Sequence, residues 1–179
     1  MDARIQTLGS LPFTMRIVRL PGIHHDANAV LLIGSEEAIL IDSGTAWYQL
    51  LQQERIIGQC GDACKLREIV LTSRRYPFSG GCLSISQHFD NIPISAHHSA
   101  ISSLSTGDFF TTWANRFDSD MPRFDVEGID GNSVKILDDE SIEILEAPGP
   151  SSCNLLVFIP SQQTAIAGAL LPRADRPMR

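Results

Sequence analysis

The sequence predicts a mixed α/β (α+β) domain, because strand-like and helix-like segments alternate through its first half and strand-like segments dominate its last third. A chain of 179 residues with 43% hydrophobic and 20% charged residues has an ordinary globular composition. That length suits one domain spanning residues 1–179. No run approaches the roughly 18 apolar residues of a membrane-spanning helix, so we expect no membrane partner.

The first elements are a β-hairpin and a helix. "MRIVRL" (15–20) alternates between apolar and polar residues, which is typical of a strand. "ANAVLLIG" (27–34) and "AILIDSG" (38–44) are two apolar strands joined by a short polar turn, which predicts a hairpin. "TAWYQLLQQERIIGQ" (45–59) spaces its apolar residues as an amphipathic helix does.

The middle of the chain alternates strand and helix. "REIVLT" (67–72) is apolar through its centre, which favours an interior, parallel strand. The segment 79–89 is predicted to be a helix with Ser79 as its cap, since serine is a favoured N-cap residue. "IPISA" (92–96) then predicts a strand, and "HHSAISSL" (97–104) predicts a helix.

Residues 105–131 are the least regular part of the sequence. Their aromatic residues are spaced like one face of a short helix, which belongs either to the core or to an interface: Phe109, Phe110, Trp113 and Phe117. Four successive strands with short turns follow, and they predict a β-meander: 133–138, 141–147, 153–160 and 164–171.

Charge and cysteine content limit the classes of function. Fourteen Lys and Arg against 21 Asp and Glu give a net charge of −7. An acidic chain argues against nucleic-acid or anionic-membrane binding, although it does not exclude a local basic pocket.

The N-terminus lacks a basic start followed by an apolar run, so no secretory signal is expected. Four scattered cysteines are too few for a disulfide framework, and we expect a reduced, cytoplasmic setting.

Four ordered stretches resemble the metallo-β-lactamase superfamily. They are "ANAVLLIGSEEAILIDSGTA", "IVLTSRRYPFSGG", "DGNSVKILDDESIEILEAPGPSSCNLLVFIP" and "TAIAGALL". They are similar to the family's Leu-Ile-Asp-x-Gly hairpin, its His-x-His-x-Asp-His loop, its Pro-Gly-His turn and its Gly-Asp strand. The resemblance covers about residues 15–171 and implies an αββα sandwich. A further strand, helix and histidine are usual in the family, so it also implies a C-terminally shortened member.

The metal-ligand positions of the family hold other residues here. By the resemblance, those positions are Ser73, Arg75, Pro77, Phe78, Pro150 and Ala169. Zinc needs imidazole, thiolate or carboxylate donors, and proline and alanine side chains have no lone pair to offer. An arginine stays protonated and repels a dication. Of the family's polar landmarks Asp42 remains, usually as a supporting residue. We therefore expect no metal ligands, no catalytic residues and no cofactor at this cleft.

Two hypotheses account for the arginines of the 69–81 loop. In the first, Arg75 replaces the lost metal and pairs with Asp42, which closes the cleft. In the second, Arg74 and Arg75 bind a small anionic ligand or a partner segment, because guanidinium groups suit bidentate anion contacts. Tyr76 would then stack on that ligand. The cleft candidates are therefore Asp42, Ser73, Arg74, Arg75, Tyr76, Phe78, His97, Ser151 and Ser152.

Three further groups each leave two interpretations open. His97 either faces the cleft rim or is a polar helix-start residue. His24 and His25 form either a metal clip or a solvated loop, and adjacent residues of an extended segment rarely share one ion. Cys82 and Cys153 are either buried thiols or nucleophiles, and a nucleophile needs a base within reach.

The sequence thus favours a non-catalytic protein of this fold, a pseudoenzyme with a metal-free cleft. We expect it to act in ligand or partner binding or in assembly, as a homo-oligomer or with a protein partner. The alternative is a metal-dependent hydrolase of an ester, thioester, lactam or phosphodiester bond, with an atypical or partner-completed site. Enzyme activity is therefore left open, with the missing ligands weighing against it.

Overall fold

The computed structural model describes residues 15–24, 26–61, 65–106 and 123–171. The strands in these ranges are β1 (Arg16–Leu20), β2 (Ala29–Ile33), β3 (Glu37–Ile41), β4 (Lys65–Leu71), β5 (Ile94–His97), β6 (Glu127–Ile129), β7 (Ser133–Leu137), β8 (Glu140–Glu146), β9 (Leu155–Ile159) and β10 (Thr164–Ile166). The α-helices are α1 (Gln49–Cys60), α2 (Tyr76–Ser79), α3 (Cys82–His88) and α4 (Ile101–Thr106). The predicted mixed α/β class is confirmed.

The first six strands form one sheet in their order along the chain. Strands β1, β2 and β3 are antiparallel neighbours, which confirms the predicted hairpin. Strands β3, β4, β5 and β6 run parallel, and β4 lies between β3 and β5. The expectation that the 67–72 segment is an interior, parallel strand is therefore confirmed.

The last four strands form a second, antiparallel sheet in the order β10-β9-β8-β7. The predicted meander is confirmed in order but not in extent, because β10 ends at Ile166 and a 3-10 turn follows at Gly168–Leu170. Strand β6 lies in a segment for which no strand was predicted. The helix predicted over 79–89 begins three residues later, as α3 (Cys82–His88). Ser79 is not its cap, because Ser79 ends the separate short helix α2 and its hydroxyl donates to the carbonyls of Arg74 and Arg75.

Alternation along the strands of the large sheet separates two cores. In β3, Leu40 faces the helices, whereas Ile39 and Ile41 face the second sheet. In β4, Ile69 likewise belongs to the helix-side core and Val70 to the core between the sheets. A strand whose two faces are both covered must be apolar on both, which explains the uninterrupted apolar runs.

The described layers run helix, sheet, sheet, three of the four layers of the predicted αββα sandwich. Each of the four helices contributes buried side chains to the core on the same side of the six-stranded sheet, including Ile56, Tyr76, Ile85 and Leu104. Within the described ranges, no helix has the length and apolar character needed to span a membrane. The predicted aromatic helix at 109–117 lies outside the described residues.

The outer face of the four-stranded sheet exposes apolar side chains. Val134 and Ile136 of β7 are 60% and 54% exposed, respectively. The cross-strand register places Phe158 of β9 opposite Glu143 and Ala165 on this same face. We call Val134, Ile136 and Phe158 the outer apolar face.

A core truncation should distinguish the core between the two sheets from the exposed outer face of the second sheet. Leu32 is fully buried between the sheets, so Leu32→Ala should lower the free energy of unfolding by about 2–5 kcal/mol. Val134→Ala removes an exposed side chain of similar chemistry and should change the unfolding free energy by less than about 1 kcal/mol. Urea denaturation measures both variants, and equal losses would contradict the placement of Leu32 in the core between the sheets and of Val134 on the exposed outer face.

Candidate functional site

The carboxyl ends of the parallel strands meet at one edge of the large sheet. The chain leaves β3 at Asp42 and leaves β4 at Thr72. The backbone N–H of Leu155 in β9 donates to the carbonyl of Thr72 over 2.9 Å, which joins the second sheet to this edge. In open α/β sheets this edge is where ligands bind, so the cleft above it is the candidate site.

Asp42 lies at the base of the cleft with both carboxylate oxygens bound by one residue. Thr72 donates its backbone N–H to Oδ1 over 2.8 Å and its hydroxyl to Oδ2 over 2.7 Å. Asp42 is 1% exposed and has a φ of 60°, a left-handed conformation that aspartate adopts more readily than most residues. The pair therefore connects the ends of two parallel strands.

Burial raises the pKa of Asp42 from 3.8 to about 7, while the two hydrogen bonds from Thr72 lower it. The desolvation of the charged form is therefore larger than the gain from the hydrogen bonds. Gly168, with a φ of 50°, packs directly on Thr72, and a Cβ at that position would collide with the Thr72 hydroxyl. The fold therefore leaves this carboxyl surrounded by protein.

The predicted pairing of Arg75 with Asp42 is wrong. No ion pair joins them in the part of the chain that the structure describes, and the oxygens of Asp42 are taken by Thr72. Arg75 is exposed and precedes α2, where its carbonyl accepts the N–H groups of Phe78 and Ser79. A long cationic side chain gains more from solvent here than from a buried carboxyl that burial keeps partly neutral.

The proposed stacking role of Tyr76 is also wrong, because the ring is 1% exposed and belongs to the core under the helices. It lies so close to Gly80 that a Cβ there would come within 2.6 Å of the ring. Arg74 is half-buried and donates from its guanidinium to Ser103 of α4 over 2.9 Å. The two arginines therefore differ, with Arg74 held against a helix and Arg75 exposed.

The remaining residues of this loop are held in place mainly by hydrogen bonds of their backbone groups. Ser73 is buried, and its hydroxyl accepts the N–H of Arg75 over 3.4 Å. The carbonyl of Phe78 accepts both the N–H and the hydroxyl of Ser43, at 2.7 and 3.0 Å. The carbonyl of Pro77 accepts the N–H of Ala27 over 3.1 Å. The loop is thereby fixed to neighbouring segments at the positions where, by the sequence resemblance, metallo-β-lactamases hold metal ligands.

The turn after β8 carries the two candidate serines. Ser151 Oγ lies 3.0 Å from Cys153 Sγ, and Ser152 is exposed. Asn154, which no motif indicated, is 1% exposed, and its side-chain amide has no hydrogen-bond partner in the described part of the chain. Such orphaned buried amides are rare in native proteins.

Cys82 is fully buried, and burial raises the pKa of its thiol, which makes it inert.

His97 ends β5 and lies at the cleft rim, where it is also the cap of the following 3-10 turn. Its Nδ1 accepts the N–H of Ser99 over 3.2 Å and lies 2.8 Å from the Ser99 hydroxyl. Because Nδ1 is an acceptor, the neutral ring carries its proton on Nε2, which lies 3.0 Å from Glu146 Oε1. The His97–Glu146 contact thus joins the carboxyl ends of β5 and β8.

Two more residues complete this group, which we call the rim cluster: His97, His98, Asp130 and Glu146. His98 Nδ1 lies 3.0 Å from Asp130 Oδ1, and the two histidine rings are 4.4 Å apart. The hydrogen bond with His97 lowers the pKa of Glu146, assisted by the Gly131 N–H and by both histidine charges. Of this cluster only His97 was a predicted cleft residue: His98 is its neighbour in the chain, whereas Asp130 and Glu146 are brought to it only by the pairing and packing of the sheets.

No family model matches the sequence, and no curated protein matches it significantly. Solved structures do match. The B3 metallo-β-lactamase BLEG-1 is 15% identical with a TM-score of 0.66, over 85% of this chain and 71% of that one. BJP-1, a subclass B3 metallo-β-lactamase of Bradyrhizobium japonicum, is 17% identical with a TM-score of 0.65, over 81% of this chain and 54% of that one.

These matches define the class of protein by its fold: the chain has the metallo-β-lactamase fold. A flavo di-iron protein mutant from Thermotoga maritima also matches, with 12% identity and a TM-score of 0.56, over 74% of this chain and 30% of that one. The chain spans about half the length of several of these proteins. The fold identified from the sequence landmarks is confirmed.

A metal centre at the family's positions does not fit the residues present. The donor set there consists of a buried serine hydroxyl, an exposed guanidinium, two prolines, a phenyl ring and a methyl group: Ser73, Arg75, Pro77, Pro150, Phe78 and Ala169. A hydroxyl is a poor zinc ligand and the others offer no lone pair. Asp42, the remaining acidic landmark, is satisfied by Thr72.

The buried carboxyl predicts a pH dependence of stability. The folded pKa of Asp42, about 7, is above the unfolded value of 3.8, so between these values the folded state holds the proton and the unfolded state does not. The unfolding free energy should therefore fall as pH rises through this window, by on the order of 2–4 kcal/mol. Asp42→Asn can keep both Thr72 contacts, with Oδ1 accepting the Thr72 N–H and the amide Nδ2 donating to the Thr72 hydroxyl oxygen, and it should remove the slope.

Urea denaturation from pH 4 to 8 measures this effect. Asp139→Asn, a change at an exposed carboxylate, is the matched control and should keep the wild-type slope. An Asp42→Asn slope identical to wild type would contradict the assignment.

Proposed function

We propose that this protein is a non-catalytic member of its fold class, which acts by binding or assembly. The observation that carries the proposal is the chemistry at the base of the cleft. The acidic landmark Asp42 is satisfied by Thr72, and the loop that supplies ligands in the family instead binds the rest of the fold through its backbone. Since none of the described residues at the base of the cleft offers a donor to a metal there, this position supports no metal-activated water.

The surface supports assembly with a second copy of the chain. The outer apolar face presents Val134 and Ile136 more than half exposed on β7. Strand β7 also pairs with β8 alone among the described strands, so it is an edge of its sheet. An apolar face beside an open edge favours association, and one copy supplies the same apolar face to another through a two-fold axis.

Anion binding is the second candidate, and the exposed Arg75 beside the cleft favours it. The anion would bind through the guanidinium of the exposed Arg75, and the exposed Ser152 hydroxyl of the turn after β8 is a candidate second donor. Sulfate or phosphate should then raise the melting temperature of the wild type and not of Arg75→Gln. An equal effect of chloride at the same ionic strength would contradict specific anion binding.

Hydrolysis and metal location test the non-catalytic assignment. Zinc-loaded protein should hydrolyse chromogenic ester, lactam and phosphodiester substrates no faster than the zinc-containing buffer. In a zinc-soaked crystal, anomalous scattering should be absent from the space between Ser73, Pro77 and Pro150. A peak there, or hydrolysis that the protein accelerates, would contradict the proposal and favour the hydrolase alternative.

Self-association is tested at the outer apolar face. Sedimentation velocity should show a concentration-dependent dimer for the wild type, and Ile136→Glu should shift it to monomer, because the charge cannot be buried in an apolar contact without a partner. Gln87→Glu adds the same charge on exposed α3 and should leave the dimer intact. A wild type that stays monomeric at all concentrations would contradict this role.

A further inference from the structure

We propose that the rim cluster binds one divalent transition-metal ion, of the zinc class, through His97, His98 and Glu146. This site is distinct from the family's metal positions and goes beyond the proposed function. One ligand atom from each of the three residues lies within 4.8 Å of the other two. The three come from β5, from the turn that follows it and from the end of β8.

The separations already approach those of a coordination sphere. His97 Nε2 and Glu146 Oε1 are 3.0 Å apart. A tetrahedral zinc ion with bonds of about 2.0–2.1 Å keeps its ligands about 3.3 Å apart, so these two atoms need to separate only slightly to admit it. His98 is exposed and can close the remaining distance by side-chain rotation without movement of a strand, and the exposed Asp130 side chain can rotate with it and keep their contact.

The outer contacts suit metal-bound imidazoles. Asp130 Oδ1 lies 3.0 Å from His98 Nδ1, so that nitrogen can keep its proton and leave Nε2 for the ion. A carboxylate partner on the second nitrogen is the usual support of a ligating histidine. For His97, metal binding at Nε2 moves the proton to Nδ1, which then donates to the Ser99 hydroxyl at 2.8 Å and gives up the hydrogen bond that it accepts from the Ser99 backbone N–H. Each ring stays neutral, as a ligand must be.

The donor set selects the class of ion. Two imidazole nitrogens and one carboxylate suit zinc, cobalt or nickel, whereas calcium and magnesium prefer oxygen ligands throughout. The side chains of His98 and Glu146 are 52% and 42% exposed, so an ion reaches them from solvent without opening the fold. The ion would cross-link the six-stranded sheet to the four-stranded sheet at the cleft rim.

Metal titration of the full chain tests the site. Zinc chloride should bind with one equivalent per chain by calorimetry and should raise the melting temperature. His98→Ala and Glu146→Gln change exposed side chains that the core does not need, and each should weaken binding by at least about tenfold. Asp130→Asn should weaken binding less than loss of a ligand, and His88→Ala, an exposed histidine of α3, should bind as the wild type does.

Cobalt chloride gives the ligand type, because a visible d–d spectrum without a thiolate charge-transfer band indicates nitrogen and oxygen ligands. The proposal is overturned if zinc does not bind, if binding is unchanged in both His98→Ala and Glu146→Gln, or if the cobalt spectrum shows thiolate ligation. Zinc-dependent hydrolysis measured on the same samples would contradict the proposed function alone, because it leaves the binding result intact.

Discussion

The structure depends on the hydrogen bonds between Asp42 and Thr72. They hold together the ends of β3 and β4, which are parallel and therefore cannot be joined by a tight turn. The carbonyl of Thr72 in turn accepts the N–H of Leu155, which positions the second sheet against the first. The Asp42 carboxyl thus joins the ends of β3 and β4, and the Thr72 carbonyl adds β9 to them. The cleft is consequently defined by internal contacts rather than by what it binds.

Local patterns in the sequence predicted the mixed α/β class and most of the strands, whereas the resemblance to the metallo-β-lactamase superfamily implied how the layers assemble. The apolar runs of β2, β3 and β4 follow from burial on both faces, and the alternation in β8 and β9 follows from burial on one face. Strand β6 was missed because its three residues, Glu127–Ile129, owe their extended form to pairing with β5. A single short turn at Gly168 likewise shortened the last strand through packing that no local pattern encodes.

The site was harder to predict because its chemistry depends on contacts between distant segments. Arg75 and Tyr76 are neighbours in sequence, yet one is exposed and the other is in the core, and no composition rule decides which. The position of Asp42 was correctly placed at a strand end, but its partner was expected to be a cation rather than the hydroxyl of Thr72. Glu146 contacts His97 although 49 residues separate them in the sequence, and only the packing of the two sheets brings them together.

The backbone hydrogen bond from Leu155 to Thr72 makes the Leu155 amide a probe of whether the two sheets stay packed together. Both residues are completely buried, so the Leu155 amide can reach solvent deuterium only when the layers come apart at that edge. The hydrogen–deuterium exchange rate of the Leu155 amide would therefore report separation of the two sheets, whereas amides on the exposed edge of β7 would exchange during local fraying. A ligand that linked the two sheets at the cleft rim would slow exchange of the Leu155 amide and leave exchange of the β7 edge amides unchanged.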